Sequence, residues 1–213
     1  MLNVTALVLF VVYLLLGFVV RTWLQWRRTG DGGFRGISGR PGSPEWLAGV
    51  AFVVALVAGV LGPVSALAGL DALAVLNHLA VRWAGAALAG AGIVGTLAVQ
   101  LQMGASWRIG VDDTERTELV TTGTFGLARN PIFTVMALTG AGLALMTPNV
   151  VAVAGFVVLL AALQLQVRVV EEPYLLRTHG DAYADYAART GRFLPGVGRL
   201  ETPADPVHAK GSA

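Results

Sequence analysis

The chain has 213 residues, 55% of them hydrophobic and only 13% charged, and its mean hydropathy is +0.67. A soluble domain carries about 25% charged residues, so this composition belongs to an integral membrane protein rather than a soluble enzyme. The absence of cysteine excludes disulfides, thiolate metal sites and cysteine nucleophiles, and His78, His179 and His208 do not pair at metal-ligand spacing.

The pattern predicts an all-α bundle with about five transmembrane helices. The first apolar segment, about Leu2 to Val20, is long enough to cross a hydrocarbon core of ~30 Å at ~1.5 Å per residue. It lacks a basic n-region and a small-residue cleavage site, so a retained helix is expected. Arg21, Arg27, Arg28, Arg35 and Arg40 follow in a Gly/Pro/Ser-rich stretch ending at Pro44, expected to be an irregular cytoplasmic loop. The second segment runs from about Trp46 to Leu70, and Gly62-Pro63 should kink it or end it early. The third, about Leu79 to Leu101, carries Gly85, Ala89, Gly90, Gly92 and Gly95, small residues that let helices approach closely in lipid.

A polar stretch, Met103 to Asn130, precedes a fourth segment from Pro131 to about Thr147. Pro148-Asn149 makes a tight turn into a fifth, about Val150 to Val170. Glu171 to Thr190 then reads as one amphipathic cytoplasmic helix with Tyr183 and Tyr186 on one face as interface anchors or packing residues. Organisation follows as three N-terminal spans over 1–102, a region over 103–195 containing the helical hairpin, and a flexible tail over 196–213. If the first loop lies inside, the N-terminus is outside and the C-terminus inside. Of the 15 Lys and Arg residues only Arg82 then falls near the outer side, as the positive-inside rule requires.

Reactive residue types concentrate at the two feet of the hairpin. Arg129 precedes Asn130, a natural N-cap, and Pro131, which suits a first helical turn, so this helix start favours an anion. The plainer reading of Arg129 is a membrane-surface arginine touching lipid phosphate. Glu171 and Glu172 stand at a helix end where the dipole prefers cations. A surface pair with Arg168 would account for one of them, but adjacent residues point about 100° apart, which leaves one carboxylate for a cationic or hydroxyl-bearing ligand. A ligand both zwitterionic and cationic, such as S-adenosylmethionine, fits the two feet together, with the bilayer delivering an apolar acceptor. His179 and the run Asp112 to Glu118 read more simply as solvated groups.

The residues also resemble a known family. Arg129-Asn130-Pro131-Ile132-Phe133, followed about forty residues later by Glu171-Glu172-x-x-Leu175, is similar to the Arg-His-Pro-x-Tyr and Glu-Glu-x-x-Leu signature of the isoprenylcysteine carboxyl methyltransferase and phospholipid methyltransferase superfamily. Gly104-x-x-Trp107-Arg108, Leu119-Val120-Thr121-Thr122-Gly123, Gly180-x-x-Tyr183-x-x-Tyr186 and Arg192-Phe193-Leu194-Pro195 extend the likeness over about residues 100 to 195.

The resemblance implies a membrane enzyme that holds S-adenosylmethionine, or its product S-adenosylhomocysteine, in a cytoplasmic pocket, with a lipophilic or lipidated acceptor entering from the bilayer. By position, Arg129, Asn130, Pro131 and Phe133 would lie beside the cofactor, and backbone around Leu119, Val120 and Gly123 would contact its adenosyl part. Glu171 and Glu172, with Leu175 in the same motif, would hold its amine or ribose or orient the acceptor, so Glu171, Glu172 and Arg129 are the catalytic candidates. Asn130 stands where the family has histidine and cannot carry a proton at neutral pH; Phe133 stands for tyrosine and keeps only the aromatic face. The alternatives are a sterol-reductase-like, NADPH-dependent membrane reductase and a non-catalytic scaffold or small carrier. No nucleic-acid partner is expected, and the acceptor and oligomeric state stay open.

Overall fold

The computed structural model describes residues 1–33, 35–104 and 118–200. Trp107-Arg108 and Asp112, Asp113, Glu115 and Arg116 of the polar stretch lie outside the described residues, as does the tail beyond Leu200. The described residues form helices and no strand.

Helix α1 spans Leu2–Thr29 and contains a π-helical turn at Leu15–Val20. Arg21, Arg27 and Arg28 therefore sit on a helix and not in the expected loop. Hydropathy falls at Arg21, but no residue before Gly30 breaks a helix, and Arg, Trp, Leu and Gln tolerate one well. Gly30 ends it in the left-handed conformation, φ 76°, its N–H donating to Trp26 O at 2.8 Å.

Helix α2, Pro44–Leu67, starts with Ser43 accepting from Trp46 N at 3.3 Å, Pro44 in the first turn and Glu45 at the positive end of the dipole. It does not end early at Pro63. Gly62 O, beside that proline, accepts from Ser65 Oγ at 2.9 Å and from Asn149 Nδ2 at 2.8 Å, which ties this turn to the residue that follows Pro148.

Helix α3 spans Leu79–Met103, α4 spans Pro131–Met146 and α5 spans Val150–His179 through a second π-helical turn, Gln166–Glu171. Four helices (α1, α2, α3, α5) are long and apolar enough to cross a membrane. The expected fourth span is the exception. Helix α4 has 16 residues, against the ~20 that a span needs, because Asn130-Pro131 fixes its start and Thr147-Pro148-Asn149 its end. The predicted C-terminal helix is two pieces: the end of α5, and α6 at Asp181–Arg189, separated by Gly180 at φ 50°.

Helix α3 packs along α4, and α2 along α5. The α3–α4 seam uses the expected small residues selectively: a Cβ on Gly85 would lie 2.7 Å from Gly142 O, and one on Gly92 2.6 Å from Thr139 N, whereas Gly90 faces open space. Phe10 and Tyr13 of α1, Ile93 of α3 and Met136, Leu143 and Met146 of α4 form the main apolar core. At the end of the bundle away from Arg129, Asn149 caps α5 by accepting from Ala152 N at 2.9 Å, and Arg82 Nε donates to Met146 O, the last residue of α4, at 2.9 Å. The hairpin thus returns its two charged feet to one end of the bundle.

Candidate functional site

The start of α4 and the last third of α5 meet through charge. Arg129 Nη2 donates to Glu172 Oε1 at 2.7 Å, with both side chains buried. Arg192 grips the same carboxylate with two donors, Nε to Oε1 at 2.8 Å and Nη2 to Oε2 at 3.0 Å. Glu172 is thus shared by two guanidinium groups, an arrangement that offsets the cost of taking its charge out of water. In turn the Glu172 carboxylate raises the pKa of Arg192, first through these hydrogen bonds.

Arg129 also gathers the chain that follows α6. Its Nη1 donates to Ala187 O at 2.7 Å and to Thr190 O at 3.1 Å, and its Nη2 to Gly198 O at 3.0 Å. Backbone pairing reinforces this: Arg129 N donates to Gly191 O at 2.8 Å and Asn130 N to Arg192 O at 3.0 Å. Asn130 occupies the N-cap position of α4 but makes no side-chain cap bond; its Nδ2 donates to Arg192 O at 3.1 Å. Thr134 Oγ1 donates to Phe193 O at 2.7 Å. The tail expected to be free from Gly196 onward is held as far as Leu200, whose N–H donates to Ala187 O at 3.1 Å.

Gly191 makes the fit possible, since a Cβ there would lie 2.8 Å from the backbone nitrogens of Gly196 and Val197. Tyr183 and Tyr186, paired edge-to-face at 6.1 Å, are packing residues and not surface anchors. Leu119, Leu175 and Leu200 pack against them, and Tyr186 OH donates to Phe125 O at 2.6 Å. Burial pushes the Tyr186 hydroxyl up to about 12, against the opposing effect of the Arg129 charge, and raises Tyr183 also.

The site therefore joins Arg129, Asn130 and Pro131 to Glu172 and Leu175. Glu171 is half-buried, hydrogen-bonded with Gln166 in the π turn, and no cation among the described residues pairs with it. Val120 is half-buried and Gly123, exposed at φ 63°, opens a short 3-10 turn, Gly123–Gly126, held by Gln102 Oε1 accepting from Thr124 N at 3.0 Å. Phe133 faces the apolar core of the bundle. The expected Arg168 contact does not form; its Nε donates to Gln164 Oε1 at 3.2 Å. The residue that sequence reasoning undervalued is Arg192. Its only signal was membership of the Arg192-Phe193-Leu194-Pro195 match.

An apolar cavity of about 50 Å³ lies elsewhere, between Phe10, Tyr13, Gly59, Thr139 and Phe156. It is well below the ~300–1,000 Å³ of small-molecule pockets and holds none of these charged groups.

Fold and charge together define a polytopic all-α membrane protein with a buried ionic cluster at the base of a helical hairpin. Residues 80–182, just under half of the chain, match the family model for phospholipid methyltransferase, a family of membrane methyltransferases in the isoprenylcysteine carboxyl methyltransferase-like group. The chain is also 32% identical over 114 residues to the nickel-cobalt-cadmium resistance protein NccN of Alcaligenes xylosoxydans xylosoxydans, covering 53% of this chain and 52% of that protein. The chain thus spans about half the length of this curated relative.

Proposed function

We propose that the protein moves a methyl group from S-adenosylmethionine to a lipophilic acceptor at the membrane face where α4 begins, and that this face is cytoplasmic. The observation that carries the reading is the Arg129–Glu172 contact, which joins the two signature halves within the segment matched to the phospholipid methyltransferase family. The donor set fits an amino-acid moiety: among the described residues Arg129 Nε is buried without a partner and Glu171 is a carboxylate without a cation. Leu119, Val120, Gly123, Pro131, Phe133 and Leu175 complete the proposed surroundings.

When bound, S-adenosylmethionine supplies an electrophilic methyl group already activated by its sulfonium. The protein's part is alignment of the acceptor, exclusion of water and electrostatic support. A carboxylate acceptor needs no base, whereas an amine or hydroxyl does. Glu171 is the group proposed to take that proton, because both oxygens of Glu172 already accept from arginines. Asn130 cannot serve, since its amide has no titratable proton at neutral pH and donates to Arg192 O.

The relative's name refers to resistance to nickel, cobalt and cadmium. Among the described residues no group of three or more His, Cys, Asp or Glu side chains is placed to hold a metal ion, so no metal enters the proposal. The test is incubation of the purified protein with radiolabelled S-adenosylmethionine and native membrane lipids, alongside thermal shift with S-adenosylhomocysteine and with NADPH. A labelled lipid product and stabilisation by S-adenosylhomocysteine are expected; stabilisation by NADPH alone would make the reductase the better reading.

A further inference from the structure

Helix α1 carries two kinds of arginine. Phe10, Tyr13, Gly17, Arg21 and Gln25 recur at three- and four-residue steps and are all buried, so they form the stripe that faces the bundle. Two cross-helix bonds fix its rotation: Gln100 Nε2 donates to Gly17 O at 2.8 Å, and Arg21 Nη2 donates to Gly104 O at 2.7 Å. With Arg21 turned inward, the opposite face must point away from the protein.

That outer face presents Trp23, 48% exposed, and Trp26, 58% exposed, with Arg27 beside them, while Arg28, seven residues after Arg21, lies on the stripe side of the helix and is exposed there beyond Gln25. Trp23 and Arg27 lie one turn apart, and the Arg27 guanidinium stands 5.1 Å from the Trp23 ring centroid. The apolar run of α1 ends at Val20, so at ~1.5 Å per residue the indoles sit ~5–9 Å and the guanidinium groups ~10–12 Å beyond it, the depth of lipid headgroups. Arg35, further along, is paired with Asp31, whereas no ion pair among the described residues engages Arg27 or Arg28. The outward face thus places both indoles and Arg27 at the level of the lipid headgroups, and Arg28 adds a second exposed cation at the same depth on the adjoining flank.

We propose that Trp23, Trp26 and Arg27 on this face, with Arg28 on the adjoining flank, form a docking site for anionic phospholipid, the indoles lying at its glycerol region and the two guanidinium groups meeting the phosphate and anionic headgroup. The fixed rotation of α1 distinguishes it from a loose basic tail.

The test uses the full chain with Trp46, Trp83 and Trp107 changed to Phe, so that Trp23 and Trp26 alone report. The protein is placed in phosphatidylcholine nanodiscs containing either brominated phosphatidylglycerol or brominated phosphatidylcholine at the same mole fraction, and fluorescence quenching is measured. Phosphatidylglycerol is expected to show roughly tenfold higher relative association at low salt, from two cations near a charged surface, and the preference should decline as salt rises. R27Q/R28Q should bring the two lipids within about twofold of each other. Equal quenching by both lipids at low salt, or a preference that persists unchanged in high salt, overturns the proposal. The salt titration needs no variant at Arg27 or Arg28, so the result stands even if R27Q/R28Q fails to fold.

Discussion

Arg129 Nη2 lies 2.7 Å from Glu172 Oε1, in a contact that closes the base of the α4–α5 hairpin. Removing Glu172 leaves Arg129 as a buried charge without its carboxylate, at a cost of about 3–5 kcal/mol, whereas removing Arg129 leaves Glu172 paired with Arg192 but takes the donor from that carboxylate and from the carbonyls of Ala187, Thr190 and Gly198. Arg129→Ala should therefore lower the thermal midpoint in detergent strongly. The double variant with Glu172→Ala should recover part of that loss, and strict additivity of the two single effects would mean that the pair is not coupled.

Arg192 contributes two charge-assisted hydrogen bonds to the same carboxylate, but Glu172 keeps Arg129 when they are lost. Arg192→Ala should cost less, about 1.5–3 kcal/mol. Because Asn130 and Arg129 hold the segment around Gly191 to Gly198 by other bonds, the substitution should loosen that segment without unfolding the bundle. Limited proteolysis should show faster cleavage near Phe193 at an unchanged far-UV helix signal.

The α3–α4 seam separates glycines that touch a neighbour from those that do not. Gly92→Ala places a methyl against Thr139 and should destabilise by about 1–3 kcal/mol through overpacking. Gly90→Ala meets nothing within 4 Å and should be neutral or stabilising by up to about 1 kcal/mol through helix propensity. Equal effects at the two sites, read from thermal midpoints, would contradict the seam.

The Tyr186 hydroxyl, raised from its ordinary 10.0 to about 12, is the neutral donor to Phe125 O. A raised folded-state value means that the neutral form is favoured by folding. Its stabilising contribution is full below pH 10 and is lost as pH rises towards 12. Alkaline unfolding followed by tyrosinate absorbance should show late ionisation coupled to loss of structure, and Tyr186→Phe should flatten the stability profile across that window.

Glu171 and Glu172 should separate by readout. Glu172→Gln should lower stability, because it removes the charge that two arginines share. Glu171→Gln should leave the thermal midpoint within about 1 kcal/mol of wild type, since its loss breaks no ion pair among the described residues. It should weaken S-adenosylhomocysteine binding about tenfold, measured by calorimetry, as expected for one lost charge-assisted contact. Undiminished binding by Glu171→Gln would remove that residue from the proposed site.

Composition and patterning were enough to give the class and most of the architecture. Lipid admits only elements that satisfy their own backbone, so long apolar runs can be read directly as helices. The small residues at Gly85, Ala89 and Gly92 announced a close seam, although only the structure showed that Gly90 is outside it. Hydropathy misplaced the end of α1, because a helix stops where its backbone is broken, at Gly30, and not where its side chains become polar. The motif order Arg129-Asn130-Pro131 and Glu171-Glu172 marked two stretches that the fold brings together through Arg129 and Glu172, and their place at one end of the bundle follows from the hairpin turn.

What only the tertiary structure decided is how the charges are divided. Sequence spacing offered Arg168 as the local partner of the glutamates, since a helix brings together residues three and four apart. The chain instead brings Arg129 and Arg192 to Glu172 from 43 residues before and 20 residues after, and sets Glu171 beside Gln166 with no ion pair among the described residues. Helical periodicity fixes which residues share a face, but the partner of a buried charge is set by whichever distant segment packs there, and that depends on the folded arrangement of α4, α5 and the segment after α6.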